Sequence, residues 1–323
     1  MRVSVNRALW VGLAVVIASS GAVAQQYPSK SIRMIIPAGP GGGVDTVARM
    51  VGQQLGVVLG QPMVMDNRPG AGTVLASELT AKAPPDGHTL LMATNSHAIN
   101  AAIHKELRYD PMNDFAMVTM VASVPYWLVV HPSVPVKSVK DLIALAKRRP
   151  GELYFASAGS GSGTHLAFEL FNSMAQIKLV HVPYKGGSVA MIDLIGGHVQ
   201  LMISNTINSR PHVMTKKLNA LAISTAKRSP LYPQVPTIAE SGLPGYQSDA
   251  WYGVMVPAKT PTDIVSRLNR EIVAILRSGE IKDKLASQGA EVLAGTPEEF
   301  VTALRNEIRK WVKVTAGMKL QTD

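Results

Sequence analysis

The chain of 323 residues contains no cysteine. Disulfide staples, thiolate metal sites and cysteine nucleophiles are therefore all excluded. Aromatic residues make up only 5% of the chain, and no basic–aromatic interleaving occurs, so a nucleic-acid interface is not expected. The eight histidines form no H-x-x-x-H pair and have no dense acidic neighbourhood, so no metal site is expected. Long hydrophobic runs are also missing. The run from Ala8 to Ala18 is too short to span a bilayer as a helix.

That short run is informative in another way. Arg2 and Arg7 flank its start, and the small residues Ala22-Val23-Ala24 follow it. Basic, apolar and small residues in that order form a secretory signal, residues 1–24, with cleavage expected after Ala24. The mature chain is thus expected in the periplasm. Without Arg2 and Arg7, 30 Lys and Arg stand against 22 Asp and Glu, a charge of +8. The bases are scattered over helical stretches, with only short clusters such as Lys147-Arg148-Arg149, and read as solvated faces.

About 300 residues suit two domains. "SIRMIIPAGPGGGVDTVARMV", Ser31 to Val51, reads as a strand, a glycine-packed loop and a helix. "LYFASAGSGSGTHLAFELF", Leu153 to Phe171, repeats that order. The helical stripes are Val47, Met50, Val51 and Val58 in the first, and Ala167, Leu170, Phe171 and Met174 in the second. Each loop is followed by two more strand–helix units: "PMVMDNRPGAGTVLASEL" and "HTLLMATNSHAIN", then "IKLVHVPYKGGSVAMIDLI" and "VQLMISNTINS". Two lobes with mainly parallel sheets flanked by helices follow. "DFAMVTMVASVPYWLVVHP" is suited to cross between the lobes, and "LNALAIST" to cross back near Ala222 to Thr225. This predicts lobe I over 25–122 plus 225–323, lobe II over 123–224, and a two-stranded hinge. In "PEEFVTALRNEIRKWV", Phe300, Leu304, Ile308 and Trp311 share one helix face.

Ligands of open α/β sheets sit at the carboxyl ends of the strands, where these loops emerge. Glycine allows a ligand to approach the backbone N–H groups, and a helix start favours negative charge. The enzymatic motifs for such loops are missing. Neither loop has a Walker lysine; the sixth position is Val44 counted from Gly39 and Thr164 counted from Gly159, so no G-x-G-x-x-G forms. G-x-S-x-G is absent around Ser160 and Ser162. Asp66, which ends "MVMDN", imitates a ribose-binding acid and is the main argument for a nucleotide-linked enzyme, the alternative class. The spacing of Ser162 and His165 more simply means helix capping than a nucleophile and its base.

From Tyr27 to about Val314 the chain resembles the Bug/TctC family, the extracytoplasmic solute-binding proteins of tripartite tricarboxylate transporters. The segments that carry the resemblance include "YPSKSIRMIIPAGPGGGVDTVAR", "LGQPMVMDNRPGAG", "APPDGHTLL", "FASAGSGSGTHLAFELF", "VHVPYKGG" and "LAISTAKRSPLYPQVPTIAESGLPGY", in that order. It implies a two-lobe, clam-shell periplasmic binding protein of type II-like architecture, with no enzymatic activity and no cofactor. Such a protein holds a small carboxylate in the inter-lobe cleft and delivers it, as a monomer, to a membrane permease. Presentation of the closed form to a sensor-kinase ectodomain is the alternative within the same fold.

The resemblance implies site residues as follows. Pro40 to Thr46 match the first-lobe loop, with Gly42 and Gly43 presenting N–H groups and Asp45 capping the helix. Ser96 and His97 match the region after the third strand and either contact ligand or hydrogen-bond within the loop. In the second lobe Ser157 and Ser160 to His165 match, with Ser162, Gly163 and Thr164 expected on the carboxylate and His165 in contact or in support. Tyr184, Lys185 and Gly186 match "V-P-Y-K-G", where Lys185 either adds charge attraction or sits at the rim. Asn205 ends a strand, preceded by Ser204 where many relatives carry Asp. Asp249 and Trp251 either close the cleft floor or serve the fold.

Overall fold

The computed structural model describes residues 27–316, so the expected signal segment lies outside the described residues. The strand–helix alternation is as the periodicity predicts. In the first half these are β1 (Ile32–Ile36), α1 (Gly43–Leu59), β2 (Met63–Asn67), α2 (Val74–Ala81), β3 (Thr89–Thr94) and α3 (Asn95–Ile103). The long β4 (Phe115–Val130) and α4 (Val139–Arg148) follow. The second half repeats the pattern with β5 (Tyr154–Ser157), α5 (Gly163–Ala175), β6 (Val180–Pro183), α6 (Gly187–Ile195), β7 (Leu201–Asn205), α7 (Thr206–Met214) and β8 (Asn219–Ile223). The chain ends through β9 (Asp249–Pro257), α8 (Thr262–Arg277), α9 (Gly279–Ser287), the two-residue β10 (Glu291–Val292) and α10 (Pro297–Thr315).

Strand order is β2-β1-β3-β9-β4-β7-β5-β6, with β8 and β10 both paired to β4. Each half carries three parallel strands, β2-β1-β3 and β7-β5-β6, while β9 and β4 run antiparallel between them. The architecture is the two-lobe α/β fold expected, built on one continuous sheet that β4 carries through the waist. Its pairing passes from β9 at Pro125↔Asp249 to β7 at Tyr126↔Asn205.

Chain return differs from the expected crossing near Ala222 to Thr225. Ile223 pairs with Thr237, Ile238 N–H donates to the Ile223 carbonyl, and Tyr246 Oη donates to the Ala167 carbonyl. These bonds hold 225–248 against the second half, so the contacts place the second crossing at Ser248-Asp249. Apolar periodicity stops at Ile223, and the irregular segment that follows carries no alternation by which its lobe is read.

The core follows the amphipathic faces with one rotation. In α1 the buried stripe runs Val44, Val47, Ala48, Val51, Leu55 and Leu59, while Val58 is exposed. Gly52 and Gly56 lie under Met65 and Met63 of β2, which turns that flank of the helix onto the edge strand. In α5, Ala167 and Phe171 are buried, with Leu170 and Met174 packed at the margin. Along α10, Phe300, Leu304 and Trp311 are buried and Ile308 packs beside them. Thr296 and Glu299 close a capping box at the start of α10.

Phe300 is fully buried, edge-on to Trp251 at 5.5 Å, and lies where a Cβ on Gly253 would meet its ring at 2.5 Å. Phe300→Ala is expected to cost about 3–5 kcal/mol of unfolding free energy, read as a lower urea midpoint. A loss under about 1 kcal/mol would mean that the α10 face is not seated on β9 as described.

Candidate functional site

Six helices, α1, α2, α3, α5, α6 and α7, begin at the carboxyl ends of β1, β2, β3, β5, β6 and β7, and their first residues or N-caps border one cleft of about 660 Å³ between the lobes. Backbone N–H groups at helix starts lack intrahelical acceptors, and the aligned peptide dipoles place positive potential there. Lys185 brings a positive charge to the lining, the His104 imidazole is pushed below its ordinary pKa by burial, and Ser, Thr, Asn and Tyr side chains supply the other polar groups. Tyr126 stands at the floor, where β4 crosses between lobes.

The helix starts differ in how their N–H groups are used. Thr94 caps α3 through Ser96 N–H, Ser162 caps α5 through His165 N–H, and Asn205 caps α7 through Asn208 N–H. α1 and α6 instead start on glycine N-caps, Gly42 and Gly186, with no side-chain cap. Their first-turn donors are therefore not taken by an N-cap side chain, and the same holds for α2, whose N-cap Thr73 makes no such bond. Gly186 has φ 134°, a conformation open to glycine and rarely to other residues.

Of the residues singled out from sequence, Gly42, Gly43, Ser96, Ser160, Ser162, Gly163, Thr164, Tyr184, Lys185, Gly186, Ser204 and Asn205 are gathered around this cleft. Five others are not in its lining, and in each case the local chemistry shows why. Pro40 turns its carbonyl to Ser188 Oγ across the cleft mouth. Asp45 lies at the third residue of α1 rather than at the N-cap. It accepts from Gly41 N–H and Asn67 Nδ2 and pairs with Arg49, and these donors hold its carboxyl below the ordinary range against the opposing cost of burial. Ser157 Oγ bonds His181 Nε2 at 2.6 Å beneath the second loop.

The two histidines are framework groups. His97 bonds Ser77 Oγ through Nδ1 and the Pro111 carbonyl through Nε2, both at 3.0 Å, so its Nε2–H donates and Nδ1 accepts. Burial pushes its pKa down to about 4. His165 accepts from Gly161 N–H through Nδ1 and stacks on His181 at 3.9 Å; burial, then the neighbouring imidazole, push it down to about 3. His165 thus supports the loop that carries Ser160 and Gly161. Trp251 packs into the first-lobe core and Asp249 accepts from Ser224 Oγ at the waist, so both serve the fold. Asp66 pairs with Arg33 and with Arg68 at 2.9 Å, away from the cleft, which removes the residue that most favoured a nucleotide site.

Sequence reading missed Asn95 and the turn Gly70–Thr73. Asn95 is 2% exposed and donates to Tyr126 Oη and to the Asp249 carbonyl. In the turn, Ala71 and Thr73 both have positive φ, 45° and 86°, which is costly for a β-branched residue. Asn100 holds it there by donating to the Gly72 carbonyl and Thr73 Oγ1. "RPGAGT" carried a turn signal, but nothing in it placed that turn opposite Ser160.

Across the cleft the walls touch through glycines. A Cβ on Gly43 would lie 2.6 Å from Asn205 Oδ1, and one on Gly163 would lie 2.6 Å from both Asn95 and Tyr126 Oη. Gly43→Ala is expected to impose about 1–3 kcal/mol of overpacking on the closed form, hence a roughly 5- to 150-fold weaker affinity. Its unliganded unfolding temperature should stay near wild type; unchanged binding by calorimetry would show that closure does not bring these walls together.

His97 and His165 also set a pH response. Their folded pKa values lie below the ordinary 6.5, so the unfolded chain binds protons that the folded chain refuses. The stability they contribute is complete above about pH 6.5 and falls as pH drops toward 4. Unfolding free energy should decline by about 2 kcal/mol per histidine between pH 7.5 and 5, and His97→Gln should flatten that slope. Equal urea midpoints at the two pH values would refute the assignment.

Comparison with known proteins agrees with this geometry. Residues 47–320 match the family model for the tripartite tricarboxylate transporter family receptor, TctC. The chain is 38% identical over 302 residues to the protein BugT of Bordetella pertussis, covering 92% of this chain and 93% of that one. Rpa4515 of R. palustris, solved with adipate, superposes with a TM-score of 0.87 at 39% identity, covering 90% of this chain and 97% of that chain. MatC (Rpa3494) from Rhodopseudomonas palustris, solved with bound malate, gives 0.86 at 32% identity, covering 89% and 99%. The chain therefore belongs to the Bug/TctC family, whose members are solute-binding receptors rather than enzymes.

Proposed function

We propose that the mature protein is a monomeric periplasmic receptor that captures a small organic carboxylate between its lobes and delivers it to a permease of the tripartite tricarboxylate type. The observation that carries this reading is the cleft itself. Several helix starts converge on it, three of them, α1, α2 and α6, without side-chain caps, and no acidic side chain is among its lining residues. A carboxylate accepts from such donors without a guanidinium partner, and charge-assisted bonds to backbone N–H groups are about twice as strong as neutral ones. The adipate and malate found in two relatives support the same chemistry.

Lys185 is exposed at the cleft rim and adds attraction for an incoming anion. Export follows from the expected signal over 1–24, with the mature chain starting after Ala24. Capture then proceeds by the lobes closing about the two crossings at Pro125-Tyr126 and Ser248-Asp249.

The test is thermal unfolding of the purified mature protein against a panel of mono-, di- and tricarboxylates, with adipate and malate included. A ligand at 100 times its Kd should stabilise the native state by about 2.7 kcal/mol, a shift of several degrees. No shift with any carboxylate, together with a shift on adding a nucleotide, would overturn the proposal.

A further inference from the structure

The lobes meet along a face that is separate from most of the cleft lining. α3 belongs to the first lobe and α5 to the second, and their N-terminal turns lie against each other. Gly163 N–H, the first donor of α5, reaches Ser96 Oγ of α3 at 3.0 Å, and both residues are buried. One turn further along each helix, Ile99 of α3 and Leu166 of α5 form a fully buried cluster with Trp311 of α10. Ser96 and Ile99 are three apart on one helix, as are Gly163 and Leu166 on the other, so each pair shares one face. None of Ile99, Leu166 and Trp311 lines the cleft.

We infer that this α3–α5 face is a closure latch that works without ligand, and that Ser96 is its polar positioning residue rather than a carboxylate contact. Ser96 Oγ supplies the oxygen that the Gly163 N–H would otherwise seek from water or from the ligand. Behind it, Ile99 and Trp311 pack together within the first lobe, and Leu166 of the second lobe covers them only when the lobes are shut. Ser96 therefore adjusts the fraction of ligand-free protein already in the binding-competent form, and apparent affinity scales with that fraction. The proposal deepens the receptor reading, but its first readout needs no ligand.

Small-angle scattering of the ligand-free mature protein, wild type against Ser96→Ala and Leu166→Ala, tests it. The wild type is expected to contain a compact population, and both variants are expected to be more expanded. Where carboxylates bind, Ser96→Ala should weaken every one of them by the same factor, about 3- to 10-fold for a lost buried hydrogen bond. Saturating ligand should restore the compact profile in both variants. Unchanged ligand-free scattering in both variants would overturn the latch. So would a Ser96→Ala effect that differs tenfold between ligands, which would make Ser96 a direct contact. Absence of binding by any carboxylate would defeat the receptor proposal instead, leaving the ligand-free scattering to decide the latch.

Discussion

A single strand belongs to both lobes, and the molecule is arranged around that constraint. β4 pairs with β9 up to Pro125 and with β7 from Tyr126 onward. Ser224 reinforces the handover: its Oγ accepts from Tyr126 N–H and donates to Asp249 Oδ1, while its own N–H donates to the Tyr126 carbonyl. Ser248 N–H in turn donates to the Ser224 carbonyl, so both crossings are tied at one level. Burial raises the Asp249 pKa above the ordinary carboxyl range, against the lowering effect of the Ser224 bond. Because the three parallel strands of each half lie on either side of this waist, their carboxyl ends, and every helix start that follows them, are brought to a common cleft.

That arrangement decides the chemistry. Helix starts offer directional donors and positive potential without a mobile cation, so the proposed recognition rests on preorganised dipoles more than on ion pairs. The capping pattern divides the labour. Thr94, Ser162 and Asn205 occupy donors of α3, α5 and α7, which stiffens the loops, while α1 and α6 begin on uncapped glycines. His165 and the Ser157–His181 pair brace the second loop from beneath, as Asp45 and Asn67 brace the first. Several of these residues match the family pattern and yet do their work one layer behind the ligand surface.

Local order was the legible part. Alternating strands and helices, the two glycine loops and the α10 face all follow from periods and turn residues acting over short range. Three things were not legible, each because it depends on placement. Val58 fits the α1 stripe by spacing, but Met63 and Met65 lying over Gly56 and Gly52 rotate the buried face. Residues 225–248 carry no periodic signal, so their attachment to the second lobe through Ile238 and Tyr246 was invisible. Asn95 was missed because the first residue of a helix meets a strand residue such as Tyr126 in a cleft floor only when β4 bridges the lobes. For His97 and His165 both readings stayed open for a related reason: position beside a glycine loop does not tell whether an imidazole points into the cleft or into the core.

Gly163 shows why binding and closure are one quantity in this fold. Its Cα face meets Asn95 and Tyr126, its N–H meets Ser96, and its backbone still lines the cleft. A side chain there would act first on the distance between lobes, before it acted on any ligand. The same holds for Gly43 against Asn205. The glycines of the two loops are therefore required twice, for access to the backbone N–H groups and for the close approach of one lobe to the other. In the proposed receptor, closing the cleft would bring donors from both lobes onto one carboxylate, so affinity would depend on how well protein meets protein as much as on how well protein meets ligand. Ligand discrimination is then left to the parts of the lining that do not touch across the cleft.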